Sequence, residues 1–337
     1  MIAIHHREGS FSNKWVEYCQ NNNVEYKLVN CYSSTIVNDL NDCNILMWHW
    51  HHSDYKASLF ARELTASLEK AGKKVFPDLN TCWHFDDKLG QKYLFEALSI
   101  PLIKSHIFYD KYEAIKWVSA TVFPKVFKLR CGAGAENVAL LKNKKIALKK
   151  INKAFGKGFG KKNRLNFLAE KLWHFKRDKT LKSFFNISKG IGRVFIPTRI
   201  EKNFKKEKGY FYCQDFIPNN NYDIRVIVIG NRAFAIKRMV RKDDFRASGS
   251  GNIIYNPQEI PRQCIELSFE STNKLQAQCV AYDFVFLDKE PLIVEISYAF
   301  TMRVYLDCPG YWDNNLNWIE GNFTPEFFMI EDILSCE

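Results

Sequence analysis

Apolar and polar positions follow two different rhythms along this 337-residue chain. In the first hundred residues, short apolar runs alternate with stretches in which apolar residues recur every three or four positions. "MIAIHH", "EYKLVN", "CNILMWHW" and "KKVFPD" read as strands. "SNKWVEYCQNN" and "SDYKASLFARELTASLEKAG" read as helices, the second stopped at Gly72. Strands alternating with helices over short connections predict a parallel sheet wrapped by helices. The helix "DDKLGQKYLFEALS" and the Pro-marked extended segment "IPLIKSHIF" follow, and a basic middle section begins near Phe123. From about Val194 the pattern turns to strands: "KGYFYCQDFI", "YDIRVIVIG", "RAFAIKRMV", "AQCVAYDFVFL" and "PLIVEIS". The tail from "YWDNNLNWIEG" to "FMIEDIL" reads as a loop and a closing helix. A chain of this length predicts two or three lobes, and the changes of rhythm divide it into 1–100, 101–195 and 196–337.

Composition narrows the class. A hydrophobic content of 46% with 15% aromatics is ample for packed cores, which excludes a disordered protein. There is no apolar run of about 18 residues and no basic leader before an apolar core, so neither a transmembrane helix nor a secretory signal is expected. The ten cysteines include no CxxC pair. Reduced, mostly buried thiols and a cytoplasmic location are the expectation. The net charge of +12 is unevenly placed: between Lys142 and Lys208 there are 22 Lys and Arg against 4 Asp and Glu, so the rest of the chain is net acidic.

Five of the eight histidines lie in the first 52 residues, at His5, His6, His49, His51 and His52. "HHREGS" follows the first strand and "HWHHSDYK" the third, so both emerge at one edge of a parallel sheet, where ligand crevices open. Three readings stand side by side: a zinc site, a substrate-side wall in which His49 and His51 are the candidates, or a strand end without a role. Alternating direction along an extended chain, with no Cys or carboxylate at ligand spacing, argues against zinc.

The most informative stretch is "AYDFVFLDKEPLIVEIS", two apolar strands about the turn "DKEP". Folding there places Asp283 and Glu295 opposite or nearly so, with Cβ atoms about 4.5–5.5 Å apart. Two carboxylates so close repel unless a cation or a proton joins them, and a hard divalent ion suits oxygen donors. Two solvent-facing acids on an ordinary hairpin are the plain alternative. Upstream, "FPKVFKLRCGAGAENVALLKN" is a strand, a Gly-rich loop and another strand. Lys128 ends the first strand, and Gly132 and Gly134 let backbone amides approach phosphates. Asp223, Arg225, Lys237, Arg238, Arg241 and Arg246 fall on or just after later strands, where cations could hold a triphosphate and stabilise a charged intermediate. Singly, each could be a surface charge.

Together and in this order, these residues resemble the ATP-grasp family, most closely its RimK-type ligases, over roughly Asp86 to Phe300. The resemblance implies an α/β protein with an N-terminal parallel pre-ATP-grasp domain, a central α+β lid bearing the Gly-rich flap, and a C-terminal antiparallel α+β domain bearing the metal site. It implies that Lys128, Gly132 and Gly134 contact ATP phosphates. The family's adenine hinge Q-E-F-I appears as "QDFI", so Gln214, Asp215, Phe216 and Ile217 would line the base. "DIR" is intact: Asp223 would lie at the nucleotide, with Lys237, and Arg225 would face the reacting carboxylate. "FRAS" stands for the family's "FRSN", with Arg246 at the phosphate end and Ser248 at the Asn position. Asp283 and Glu295 would bind magnesium, with two ions expected and manganese as a substitute. The family's closing "E-x-N" is "EIS" here, so Ser297 replaces the amide ligand, which implies a weaker second metal site or a weakened enzyme.

The implied reaction is amide formation by an ADP-forming carbon–nitrogen ligase through an acyl phosphate. Arg225, with Arg238 or Arg246, would stabilise the carboxylate and then the oxyanion. The tail "EISYAFTMRVYLDCPGYWDNNLNWIEG" looks like ATP-grasp proteins from bacterial surface-polysaccharide gene clusters. That implies a sugar uronate, nucleotide- or lipid-linked, joined to an amine or amino acid, with Tyr298 and Arg303 on the substrate side; Tyr298, Tyr311 and Trp312 would stack on a sugar or else pack the closing helix. Alternatives are an ATP-grasp kinase and a catalytically silent ATP-binding protein. The basic segment reads chiefly as a lid with a solvated face, with steering of an anionic substrate or peripheral contact with anionic lipid as the second reading; nucleic acid is not expected as a partner.

Overall fold

A computed structural model describes residues 1–132, 138–160, 205–240 and 251–335. The chain forms two compact units, one of Met1–Phe85, Tyr93–Leu102 and Asn219–Glu337, the other of Asp86–Lys92 and Ile103–Pro218. The boundary expected near residue 195 falls outside the described residues.

The first unit begins with a parallel sheet. Strands β1 (Ile2–Ile4), β2 (Tyr26–Leu28), β3 (Ile45–Met47) and β4 (Lys74–Phe76) lie in the order β2-β1-β3-β4. Between them run α1 (Ser12–Asn21), α2 (Ile36–Asp39) and α3 (Tyr55–Lys70), with α4 (Leu79–Cys82) after β4. Asp54 caps α3 by accepting from the Lys56 and Ala57 amides, and Gly72, at φ +81°, follows its end as the sequence predicts. Helix α5 (Lys88–Ala97) carries the chain across the two units.

The second unit holds β5 (Ser105–Phe108), α6 (Lys111–Ala120), β6 (Lys125–Phe127), β7 (Ala139–Leu141), α7 (Lys144–Ala154) and β8 (Phe211–Asp215). Its antiparallel sheet has the order β5-β8-β6-β7. Alternation along these strands turns Phe127, Phe211 and Cys213 toward Ala114, Val118, Ala147 and Ile151 of α6 and α7. Val126, Lys128, Tyr212 and Gln214 therefore line the other face.

The chain returns to the first unit with β9 (Tyr222–Ile229), β10 (Arg232–Met239), β11 (Ile253–Ile254), α8 (Arg262–Leu275), β12 (Cys279–Leu287), β13 (Glu290–Ser297), β14 (Gly310–Asp313), β15 (Trp318–Glu320) and α9 (Pro325–Ser335). The sheet runs β13-β12-β9-β10-β14-β15, with β11 on β10. Its even-numbered β9 residues Ile224, Val226 and Val228 pack with Cys264, Ile265 and Phe269 of α8. The odd-numbered Ile227 and Ile229 face a core that contains Ile2, Ile4 and Phe76 of the parallel sheet and Met329 and Ile330 of α9. The tail read as a loop is instead the β14–β15 hairpin, where Trp312 and Trp318 pair across the ladder at a ring distance of 4.6 Å. The polar run Asp313–Asn317 hides that pairing by looking like a long loop, although Asp313 Oδ1 accepts the Asn315 and Asn317 amides and makes it a tight turn.

Candidate active site

The charged residues of the antiparallel sheet in the first unit form a row. Strand register sets Asp223 opposite Arg238, Arg225 opposite Asp283, and Asp283 opposite Glu295. The last pairing depends on a β-bulge. The hairpin turns through Asp288 and Lys289, both at positive φ, and Phe284 pairs with Ile293. Without the register shift after Asp283, Val294 would face Asp283; the shift brings Glu295 there instead. The expectation that these two acids oppose each other is met.

Arg225 grips Asp283 with Nε and Nη2 at 2.5 and 2.6 Å, and Arg238 grips Asp223 at 2.6 Å through the same two atoms. Arg238 Nη2 also lies 2.9 Å from Asp283 Oδ1, which joins the pairs into one network. The side chains are only 8% (Arg238), 12% (Asp283), 14% (Asp223) and 23% (Arg225) exposed, so solvent screens them weakly. Burial alone would raise the Asp283 carboxyl, but the two guanidiniums outweigh it and hold it well below the usual carboxylate range. Burial and the neighbouring Asp283 charge push Asp223 above its ordinary value. Tyr305 lies beside Arg225, and burial raises its hydroxyl pKa.

Asp283 and Glu295 stand in register with hard oxygen donors, which fits magnesium by donor chemistry, although both Asp283 oxygens already accept from Arg225 and a metal would share them. Ser297 Oγ is engaged locally, donating to the Ala299 carbonyl at 2.7 Å and accepting the Ala299 amide at 3.2 Å, so it is a poorer ligand than an amide oxygen. Lys237, expected at the nucleotide, binds Glu259 at 2.8 Å and lies 4.3 Å from the Tyr222 ring. Arg303 is exposed in the turn Met302–Tyr305. Tyr298, expected on the substrate side, is only 1% exposed; its ring packs on Phe85 and Trp50, and its hydroxyl donates to the Trp50 carbonyl. It is a packing residue because the chain leaving β13 passes directly over the exit of β3. Tyr311 packs on Phe323 and on Phe328 of the closing helix. Gly134, Arg241, Arg246 and Ser248 lie outside the described residues.

In the second unit, Lys128 is 5% exposed and its amide donates to the Tyr212 carbonyl. Gly132 has φ +124°, a conformation that favours glycine; its amide donates to Asp86 Oδ1 at 2.6 Å. Its carbonyl accepts Lys88 Nζ at 2.8 Å. Sequence reasoning missed Lys88, which is 8% exposed. The available signal was a lysine on the same helical face as buried Lys92 and Phe95, where an unpaired ammonium is costly. Gln214, 3% exposed, donates to Tyr212 Oη at 3.1 Å on the same sheet face as Lys128. Phe216 and Ile217 follow, half-buried, at the end of β8.

Asp215 turns to the other face. Its Oδ1 accepts from Lys125 at 2.7 Å and is 2.9 Å from His106 Nε2, and both partners lie against Trp117. Burial opposes the Asp215 charge, but Lys125 and His106 outweigh it and hold the carboxyl below its ordinary value. Burial also lowers His106 despite Asp215. Both folded-state values are depressed, so both groups stabilise the fold at neutral pH and withdraw that support as pH falls. The loss begins for His106 below about 6.5 and for Asp215 below about 3.9. Protection of the β5 and β8 amides, corrected for the intrinsic pH dependence of exchange, should fall across that range, and Asp215→Asn should flatten the lower part; an unchanged profile would refute the assignment.

The histidines are held separately. His5 Nδ1 accepts the Cys31 amide at 3.0 Å, His6 Nδ1 lies 3.2 Å from Ser12 Oγ, and His51 Nδ1 lies 2.7 Å from Ser53 Oγ. His49 Nδ1 accepts the Phe11 amide at 3.1 Å. Among the described residues no three His, Cys, Asp or Glu side chains gather as a metal-binding group. The nine cysteines among them are all free and eight are buried. No helix among the described residues is long and apolar enough to cross a membrane.

Residues 186–304 match the RimK-like ATP-grasp domain. No curated protein matches the sequence. A RimK domain ATP-grasp protein from Sphaerobacter thermophilus is similar in structure, with TM-score 0.55 and 14% identity, over 98% of each chain. D-cycloserine synthetase is similar with TM-score 0.56 and 10% identity over 98% of this chain and 99% of that one. D-alanine–D-alanine ligase from Bacillus anthracis, also solved with ATP, is similar with TM-score 0.52 and 11% identity over 89% and 87%. The chain therefore has the ATP-grasp fold, with a RimK-like ATP-grasp domain over residues 186–304.

Proposed function

We propose that the chain is an ATP-dependent ligase that activates a carboxylate and joins it to an amine, with a sugar carboxylate as the substrate class suggested by the tail's resemblance. The observation that carries the reading is the row Asp223–Arg238 and Arg225–Asp283–Glu295, which gathers acids and guanidiniums on one sheet face. A carboxylate is a poor electrophile, so amide formation requires an activated acyl group, here an acyl phosphate. Magnesium, when held by Asp283 and Glu295, supplies charge neutralisation on the transferring phosphoryl group. The guanidinium N–H groups of Arg225 and Arg238 not spent on Asp283 and Asp223 orient the carboxylate and then meet the oxyanion that forms as the amine attacks. Lys88, Lys128 and the Gly132 backbone receive phosphate oxygens, and the chain leaving β8 at Gln214, Asp215, Phe216 and Ile217 receives the base. These contacts are charge-assisted, so Lys128→Met should weaken ATP binding about tenfold or more in calorimetry. Affinity unchanged by that substitution would remove Lys128 from the site.

ADP release, measured over a matrix of uronates, their nucleotide forms, amino acids and simple amines, tests the activity. ADP and inorganic phosphate appearing together only with one carboxylate–amine pair is the expected result. Phosphate left on the substrate would make the protein a kinase.

A further inference from the structure

Helices α6 and α7 of the second unit lie side by side on one face of its sheet, with Ala114, Val118, Ala147 and Ile151 turned inward. Helical spacing and exposure turn Tyr112 and Lys116 of α6, and Lys145, Lys149 and Lys153 of α7, outward. Helix α7 holds five lysines and no Asp or Glu. A solvated helix face commonly mixes its charges, so that lysines meet acids three or four residues away. Here Lys145, Lys149 and Lys153 follow one another at four-residue intervals, a like-charge spacing that destabilises a helix. Lys144 and Lys145 also stand in the first turn, where the positive end of the helix dipole disfavours cations. Among the described residues none of these four lysines forms an ion pair. Burial and the Lys153 charge together lower the pKa of Lys150, which lies 5.1 Å from the Phe127 ring. A polyanion laid against this face would relieve both unfavourable placements at once.

We infer that the outer face of α6 and α7 docks on an anionic lipid surface. Two features favour lipid over nucleic acid. Both helices carry lysine and no arginine, so they supply diffuse charge rather than the bidentate forks that grip nucleic-acid phosphates. Beside the lysines, Tyr112 is 74% exposed, and Val122, just after α6, is 80% exposed. A tyrosine suits the headgroup level of a bilayer, and a small apolar side chain suits the boundary with the acyl chains. The acids of α6 are few: Asp110 caps the helix by accepting the Glu113 amide, and Glu113 is exposed at its flank. The inference goes beyond the ligase reading and does not rest on it, because none of these residues is placed at the nucleotide or the metal.

The test is flotation of the full chain with vesicles of phosphatidylcholine alone and of phosphatidylcholine mixed with phosphatidylglycerol. Binding should require the anionic lipid and weaken as salt rises. A lysine near such a surface strengthens binding about fivefold, so Lys145→Gln, Lys149→Gln and Lys153→Gln together should weaken it about a hundredfold. Arginine at the same three positions should preserve binding. Lys56→Gln, Lys70→Gln and Lys289→Gln, at exposed positions of the first unit, form the control and should change it little. No binding to the anionic vesicles, or an equal loss in the two glutamine triples, overturns the inference. Tighter binding to duplex DNA than to the vesicles, lost in the α7 triple, would assign the face to nucleic acid and overturn it as well. ADP release from soluble substrates should be the same in the α7 triple as in wild type, so a failure of the ligase reading leaves the lipid result untouched.

Discussion

Asp283→Leu should lower the melting temperature by about 6–12 °C, and Arg225→Met together with Asp283→Leu should restore most of that loss. The single change leaves a guanidinium with little solvent around it and no bidentate partner, a situation that costs about 3 kcal/mol or more. In a unit of roughly 200 residues each kcal/mol moves the transition by about 2–4 °C. Removing both members trades the buried pair for apolar side chains of similar volume, which is near neutral when packing is kept. The neighbouring pair is independent enough to survive, because Arg238 keeps its two bonds to Asp223. The cycle of two single variants and the double isolates the coupling. An Asp283→Leu protein that melts within a degree of wild type would show that solvent already screens the pair. The rescued double variant should still release no ADP, which separates what the network does for stability from what it does for chemistry.

That network was half legible in the sequence. Folding the β12–β13 segment about its turn places Asp283 near Glu295, and only the bulge decides that they are opposite. The same arithmetic about Gly230 and Asn231 pairs Asp223 with Arg238, a conclusion the sequence permits once β9 and β10 are read as one hairpin. What one hairpin cannot reveal is that β9 lies between β10 and β12, because that neighbour comes from more than fifty residues away in the chain. Arg225 therefore reads as a cation awaiting substrate, whereas the fold gives it Asp283. The parallel sheet was easier, since each of its strands is a short run of Ile, Leu, Val or Met between periodic helices. Tyr298 shows the opposite limit: a tyrosine next to a metal motif looks available, and only tertiary packing buries it.

Glu295→Ala should reduce ADP release by about 10²–10³-fold while lowering the melting temperature less than Asp283→Leu does, because Glu295 is less buried than Asp283. Asp283 and Glu295 are direct cross-strand neighbours of like charge, a placement that costs stability in the absence of a cation. The guanidiniums of Arg225 and Arg238 are committed to Asp283 and Asp223. Deleting Glu295 removes one member of a like-charged cross-strand pair, where deleting Asp283 removes the carboxylate that Arg225 and Arg238 share. The variant also loses one of two hard donors, so the affinity for manganese, followed by its paramagnetic resonance in the presence of nucleotide, should fall together with turnover. Glu295→Gln should keep the strand pairing and regain little of either. Equal loss of stability in the Asp283 and Glu295 variants would mean that both acids serve the fold. Normal turnover in Glu295→Ala would remove the metal from this row and, with it, the central support for the ligase reading.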